Sequence, residues 1–162
     1  MNIYETETGV RLVFDELLPH REHPSAGEAE KRALQAARER IKKDCTKPFS
    51  DFFKSRINTK PYRLPLVMIY CNFYHGRDKM CDVDNIDITF ITNYFIKCTY
   101  VIPDDSPRCI SVFLTASDDD LPAIFKEIPS PDKRSHTEAL LCSHEQFIKL
   151  LSEYKSYFHV YF

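Results

Sequence analysis

"LPLVMIYCNFYH", residues 64–75, is almost continuously apolar, β-branched or aromatic. A run that is apolar at odd and even positions alike offers no face to water. It therefore predicts a strand in the interior of a sheet that is covered on both sides. The chain has 162 residues, 43% of them hydrophobic and 13% aromatic, enough for one real core and against wholesale disorder. With helical patterns on either side of this strand, the expectation is α/β (α+β-like). One compact domain spans 1–162, with a mixed β-sheet packed with helices.

Working back from the strand, "FSDFFKSRI" (49–57) predicts a short helix that carries Lys54 and Arg56 toward solvent. Pro48 is expected to separate it from a longer helix, because proline removes an N–H and clashes with the preceding turn. That longer helix is predicted from about Ala26 to Cys45. Ser25 and Glu28 have capping-box spacing, and Ala29, Ala33, Ala37, Ile41 and Cys45 recur every four residues. "NIYETETGVRLVFDEL" (2–17) alternates as a first strand or hairpin, with Gly9 near its turn.

Working forward, "GRDKM" is a polar loop. Residues 82–100 fit two periods at once: Val83, Ile86, Phe90, Tyr94 and Cys98 suit a helix, and Ile86, Ile88 and Phe90 suit a strand. "RCISVFLTA" predicts another strand, and "DDDLPAIFKEI" a polar turn into a short helix. Ser143 and Gln146 repeat the capping-box spacing ahead of a helical apolar face made by Phe147, Leu150, Leu151 and Tyr154. "YFHVYF" reads as a last strand or a tail docked on a partner. There is no internal repeat or low-complexity tract.

Charge and cysteine content narrow the function classes. The net charge is −2, but residues 21–63 carry 12 Lys or Arg against 6 Asp or Glu, while residues 64–128 carry 5 against 10. A basic segment followed by an acidic one suits a protein that contacts phosphate with one part and gathers carboxylates with the other. Alternating charges on "EAEKRALQAARERIKKD" would equally suit a solvated helix. No run approaches the length of a membrane span, and the first residues lack the basic start and apolar core of a signal peptide, so an intracellular, cytoplasmic protein without a membrane partner is expected. Six cysteines at wide spacing then read as reduced thiols. Cys71, His75 and Cys81, or Cys142 with His144, are zinc candidates, but no Cys-x-x-Cys occurs.

Two acidic motifs follow the apolar strand: "MCDVDNID" (80–87) and "IPDDSP" (102–107). Asp82 and Asp84, two apart, point to one side of an extended chain. With Asp104 or Asp105 they form an oxygen-donor set suited to Mg²⁺. The same residues would also serve as a helix cap and a turn.

The order is specific: strand, short polar loop, Asp-x-Asp-Asn, an apolar segment of about twenty residues, an Asp-Asp pair, strand. It resembles the RusA-type Holliday-junction resolvase family over about a third of the chain. The resemblance implies a helix between the motifs and a small homodimeric endonuclease, dependent on Mg²⁺ (or Mn²⁺). Such an enzyme nicks branched, four-way DNA symmetrically in recombination and repair. It also implies Asp82, Asp84 and Asp105 as metal ligands, Asp104 as an assisting acid and Asn85 as a support. Where the family places a lysine one helical turn after the second aspartate, this chain has Ile88, and its pre-motif loop has only Arg77 and Lys79. With those two, Arg38, Arg40, Lys42 and Lys43 are the expected phosphate contacts. Two other classes stay open: a non-catalytic DNA-binding or regulatory protein on the same fold, and a protein-interaction module using the aromatic tail.

Overall fold

A computed structural model describes residues 1–57, 65–75, 87–93, 108–118 and 134–153. The chain is an α/β protein. Strands β1 (Asn2–Thr6), β2 (Gly9–Phe14), β3 (Leu66–Tyr74), β4 (Ile110–Asp118) and β5 (His136–Ser143) form one mixed sheet. The helices among the described residues are α1 (Glu28–Ile57), the single turn α2 (Ile88–Ile91) and α3 (His144–Glu153). Strand order is β1-β2-β5-β3-β4, with β3 and β4 parallel and every other pairing antiparallel.

The apolar run behaves as expected. All nine residues of β3 are buried, and the strand has neighbours on both sides. Its alternate residues feed two cores. Leu66, Met68 and Tyr70 join Leu12, Phe14, Ala139 and Leu141 on the side covered by α1 through Ile41, Cys45, Phe49 and Phe53. Val67, Ile69, Cys71 and Phe73 join Leu140 and Cys142 on the other side, under Phe147 and Leu150 of α3. The sheet is thus the middle layer, and β3 reads apolar at every position because both of its faces are covered.

The expected N-terminal hairpin is β1–β2, with Thr6 opposite Gly9 across a two-residue turn. Gly9 has φ +142°, and a Cβ there would lie 2.3 Å from the Leu141 carbonyl oxygen, so only glycine lets β2 leave the turn this close to β5.

Three expectations need correction. Pro48 does not divide the basic helix: α1 runs unbroken for 30 residues. An interior proline costs a helix about 3 kcal/mol, whereas burying one phenylalanine contributes about 1.5–3 kcal/mol. Phe49 and Phe53 are both fully buried beyond the proline, with ring centroids 4.5 Å apart, so packing of the continuous stripe Ile41, Cys45, Phe49, Phe53 wins. The expected Ser25 capping box is also replaced. Ser25 Oγ bonds His23 Nδ1 at 2.6 Å, and the first helical bond runs from Lys31 N–H to the Gly27 carbonyl.

The third correction is β5, which was absent from the expected order and lies in the middle of the sheet. "HTEALLCS" hides its strand character because His136, Thr137 and Glu138 are polar yet buried. Arg11 of β2 donates to Glu138 through Nε (2.6 Å) and Nη2 (2.7 Å), and His136 Nε2 reaches Glu138 Oε1 at 3.0 Å while its ring stacks on Phe73. At the strand's end the second capping box is present as predicted: Ser143 N–H donates to Gln146 Oε1 at 2.9 Å and Gln146 N–H to Ser143 Oγ at 3.1 Å.

Burial alone would raise the Glu138 carboxyl. The bonds from His136 and Arg11 and their charges outweigh it and hold the group below its ordinary value of 4.5. A carboxyl with a depressed folded-state pKa adds stability that is present above its unfolded pKa and is lost as pH falls through the folded one. Urea titration of Glu138→Gln at neutral pH should show a loss of about 3–5 kcal/mol, because the buried Arg11 guanidinium loses the carboxylate that balances its charge. Titrations stepped downward from pH 5 should show the wild type losing stability toward the variant's level.

Candidate functional site

Both acidic motifs fall in the crossover between the parallel strands β3 and β4. Parallel neighbours cannot be joined by a tight turn. Leu66 pairs with Ile110 and Tyr74 with Asp118, so the exit from β3 and the entry to β4 lie at opposite ends of the pair, about 26 Å apart. Asp82, Asp84, Asn85, Asp104 and Asp105 lie outside the described residues, as do Arg77, Lys79 and Cys81. So do the predicted turn and helix beyond Asp118 and the aromatic tail. Among the described residues no group of three His, Cys, Asp or Glu is placed to hold a metal ion.

The third aspartate of "MCDVDNID" is described, and it is held firmly. Asp87 is 8% exposed at the start of α2. Its backbone carbonyl accepts from Phe90 N–H at 3.2 Å, and its Oδ1 accepts from Thr89 Oγ1. Its Oδ2 accepts from Arg38 Nη2 at 2.8 Å. The same Arg38 nitrogen also reaches the His20 carbonyl at 3.2 Å, and Arg38 Nε is buried with no hydrogen-bond partner. Residues 88–93 are helical, so the ambiguous segment is helical where it is described, and Phe90 joins the core beneath α1. Asp87 thus stands at the N-terminal boundary of α2, and Arg38 ties this end of the acidic stretch to the long helix. Sequence reading missed the partnership, since nothing in the spacing of residues 38 and 87 announces it.

The other expected phosphate contacts lie farther along or around α1. Arg40 is exposed and pairs with Glu16 at 2.5 Å. Lys42 and Lys43 line one surface groove together with Lys47 and Lys54. Arg38 is the exception, turned inward with its side chain only 21% exposed.

The apolar strand also ends in polar chemistry on the α1 side. Thr137 Oγ1 accepts from Leu18 N–H at 2.9 Å and donates to Asn72 Oδ1 at 2.7 Å, while Asn72 Nδ2 approaches Tyr74 Oη at 3.4 Å. The Tyr70 phenol is pushed up by burial, with the neighbouring Tyr74 and Asp87 acting in the same direction, so it stays neutral. Burial likewise pushes the Cys45 and Cys71 thiols up and the Cys142 thiol up to about 12, so these three stay protonated at neutral pH. Buried and protonated, these three pack as small apolar side chains.

No known protein family matches the chain, and no curated protein does either.

A double-mutant cycle on Arg38→Met and Asp87→Asn checks the tie between α1 and the acidic stretch. The expected coupling is about 2 kcal/mol by urea denaturation, between the values of exposed and fully buried ion pairs. Additive losses would mean that the two side chains act separately.

Proposed function

We propose that this chain is a RusA-like, metal-dependent endonuclease selective for branched DNA. One observation carries the reading. The two acidic motifs sit in a single crossover between parallel strands, and the described part of that crossover is a helix start anchored by the last aspartate of the first motif. That is the order of elements the resemblance calls for.

Asp82, Asp84 and Asp105 form the metal-holding set, with Asp104 assisting and Asn85 supporting its geometry. Three carboxylates are hard oxygen donors, and the donor set fits Mg²⁺ or Mn²⁺ better than zinc. When bound, the ion supplies Lewis-acid polarisation of the scissile phosphate and a water acidic enough to attack it at neutral pH. Arg77 and Lys79 precede the motif and contact phosphate beside the scissile bond. Arg38 acts at one remove: by fixing Asp87 it sets the start of α2, which makes it a positioning residue and not a phosphate contact. A junction with two equivalent strands to nick favours a two-fold homodimer, so that each copy meets one strand. No described helix is long and apolar enough to cross a membrane.

Ile88 in place of the family's lysine favours one second reading, a protein that recognises junctions through the same residues but cuts slowly or not at all. An end-labelled mobile four-way junction and its linear duplex control, incubated with Mg²⁺, Mn²⁺ or EDTA, separate the two. Paired nicks in the junction that need metal are the expected result. Asp84→Asn should slow them by more than about 100-fold, since even residues behind metal ligands are worth 10–100-fold. Tight junction binding with no product in either metal would establish the second reading, and no binding at low salt would overturn both.

A further inference from the structure

Among the described residues, the outward face of α1 adds nothing to the hydrophobic cores. Lys43, Lys47, Ser50 and Lys54 follow one another at i, i+4, i+7 and i+11, a single stripe along a helix. The stripe lies opposite Ile41, Cys45, Phe49 and Phe53, which face the core. With Lys42 and Thr46 it borders an open groove of about 530 Å³.

Two acids, Glu39 and Asp51, share this surface, so four lysines leave it at +2 (4 − 2) on a chain whose net charge is −2. Neither acid neutralises the stripe. Lys47 and Asp51 are 3.8 Å apart with side chains 86% and 63% exposed, a geometry of little energetic weight in water. Glu39 accepts from Gln35 at 3.1 Å. Lys54, in the last turn, suits the helix dipole, but Lys43 and Lys47 are mid-helix and gain nothing from it.

We infer that this stripe is a contact surface for the phosphodiester backbone of DNA, used to hold a duplex arm. The inference rests on the nuclease reading and deepens it. Lys43 to Lys54 spans about 16 Å of helix axis, which at 3.4 Å of duplex axis per nucleotide corresponds to about five nucleotides of one strand. A single small anion would touch one or two of these lysines, so the spread selects a polyanion. Lysines on flexible stems bind as point charges and read no bases, so duplex and junction are held alike. An anionic membrane is the poorer partner. An interfacial helix needs an apolar face to insert, and the apolar face of α1 is already buried against the sheet. The stripe also faces away from the Arg38–Asp87 tie, and its lysines contribute affinity for the backbone.

The test compares wild type, the triple variant K43Q/K47Q/K54Q and a charge-matched control, K31Q/R32Q/K149Q. All are titrated in EDTA with fluorescent duplex and four-way junction from 50 to 300 mM salt, with thermal unfolding to confirm that each is folded. For the stripe variant the expected result is a loss of at least about tenfold in affinity at 50 mM salt for both DNAs. Its log–log salt slope should be shallower by about 2–3, at about 0.9 for each phosphate the lysines no longer neutralise. The control should keep the wild-type slope. Unchanged affinity and slope in the stripe variant would overturn the inference and leave the nuclease reading standing. Binding that depends on the stripe in a protein that never cuts would do the reverse. Wild type that ignores DNA but binds phosphatidylserine vesicles through these lysines would also overturn it, in favour of a membrane surface.

Discussion

A buried glutamate holds the sheet in register. Glu138 has no exposure to water and takes both nitrogens of the Arg11 fork and one ring nitrogen of His136. Cost determines what this network does. Replacing such a cluster by well-packed apolar residues is often neutral or stabilising, while losing one member is severe, because a charge is left in the core without a partner. Its contribution is therefore to exclude alternatives. Sliding β5 by one residue against β2 would carry Glu138 to the α1 side of the sheet, among Leu12, Phe14 and Leu141, with Arg11 stranded on the opposite face. The apolar pairs along these strands could tolerate other registers, and the charged pair cannot.

That constraint orders the rest. With β5 fixed between β2 and β3, the two faces of the sheet are committed, one to α1 and one to α3. The crossover from β3 to β4 then starts on the strand flanked by β5 and β4. Arg38 carries the same logic outward: one cation on α1 meets one carboxylate on the far side of the sequence, and the start of α2 is fixed where the acidic stretch ends. Local hydrogen bonds, from Thr89 and to the Asp87 carbonyl, do the remainder.

How much of this was legible in the sequence follows from the range over which each interaction acts. The β1–β2 hairpin, the buried β3, the β4 strand and the Ser143–Gln146 cap are set by residues next to one another, and each was expected. The strand β5 was not, because its buried polar residues find partners far away in sequence: Glu138 meets Arg11, 127 positions off, and Thr137 meets Leu18 and Asn72. The unbroken α1 was missed for a similar reason: the cost of Pro48 is local and visible, whereas the burial of Phe49 and Phe53 that outweighs it depends on the sheet. At the candidate site, the acidic motifs and basic helix stood out by composition. The pairing of Arg38 with Asp87 did not, and it turns one expected phosphate contact into a structural tie.

The place of β5 also bears on how the molecule comes into being. Residues 136–143 emerge after every other described strand, yet they fill the gap between β2 and β3. Without β5, the hairpin β1–β2 and the pair β3–β4 share no strand pairing, and β2 and β3 each have an open edge where β5 binds. Neither can settle into the final core until β5 joins them, which makes folding a late, long-range event. Throughout that interval the unpaired edges of β2 and β3 are open to other chains, and the burden of avoiding aggregation falls on the speed with which β5 closes the gap.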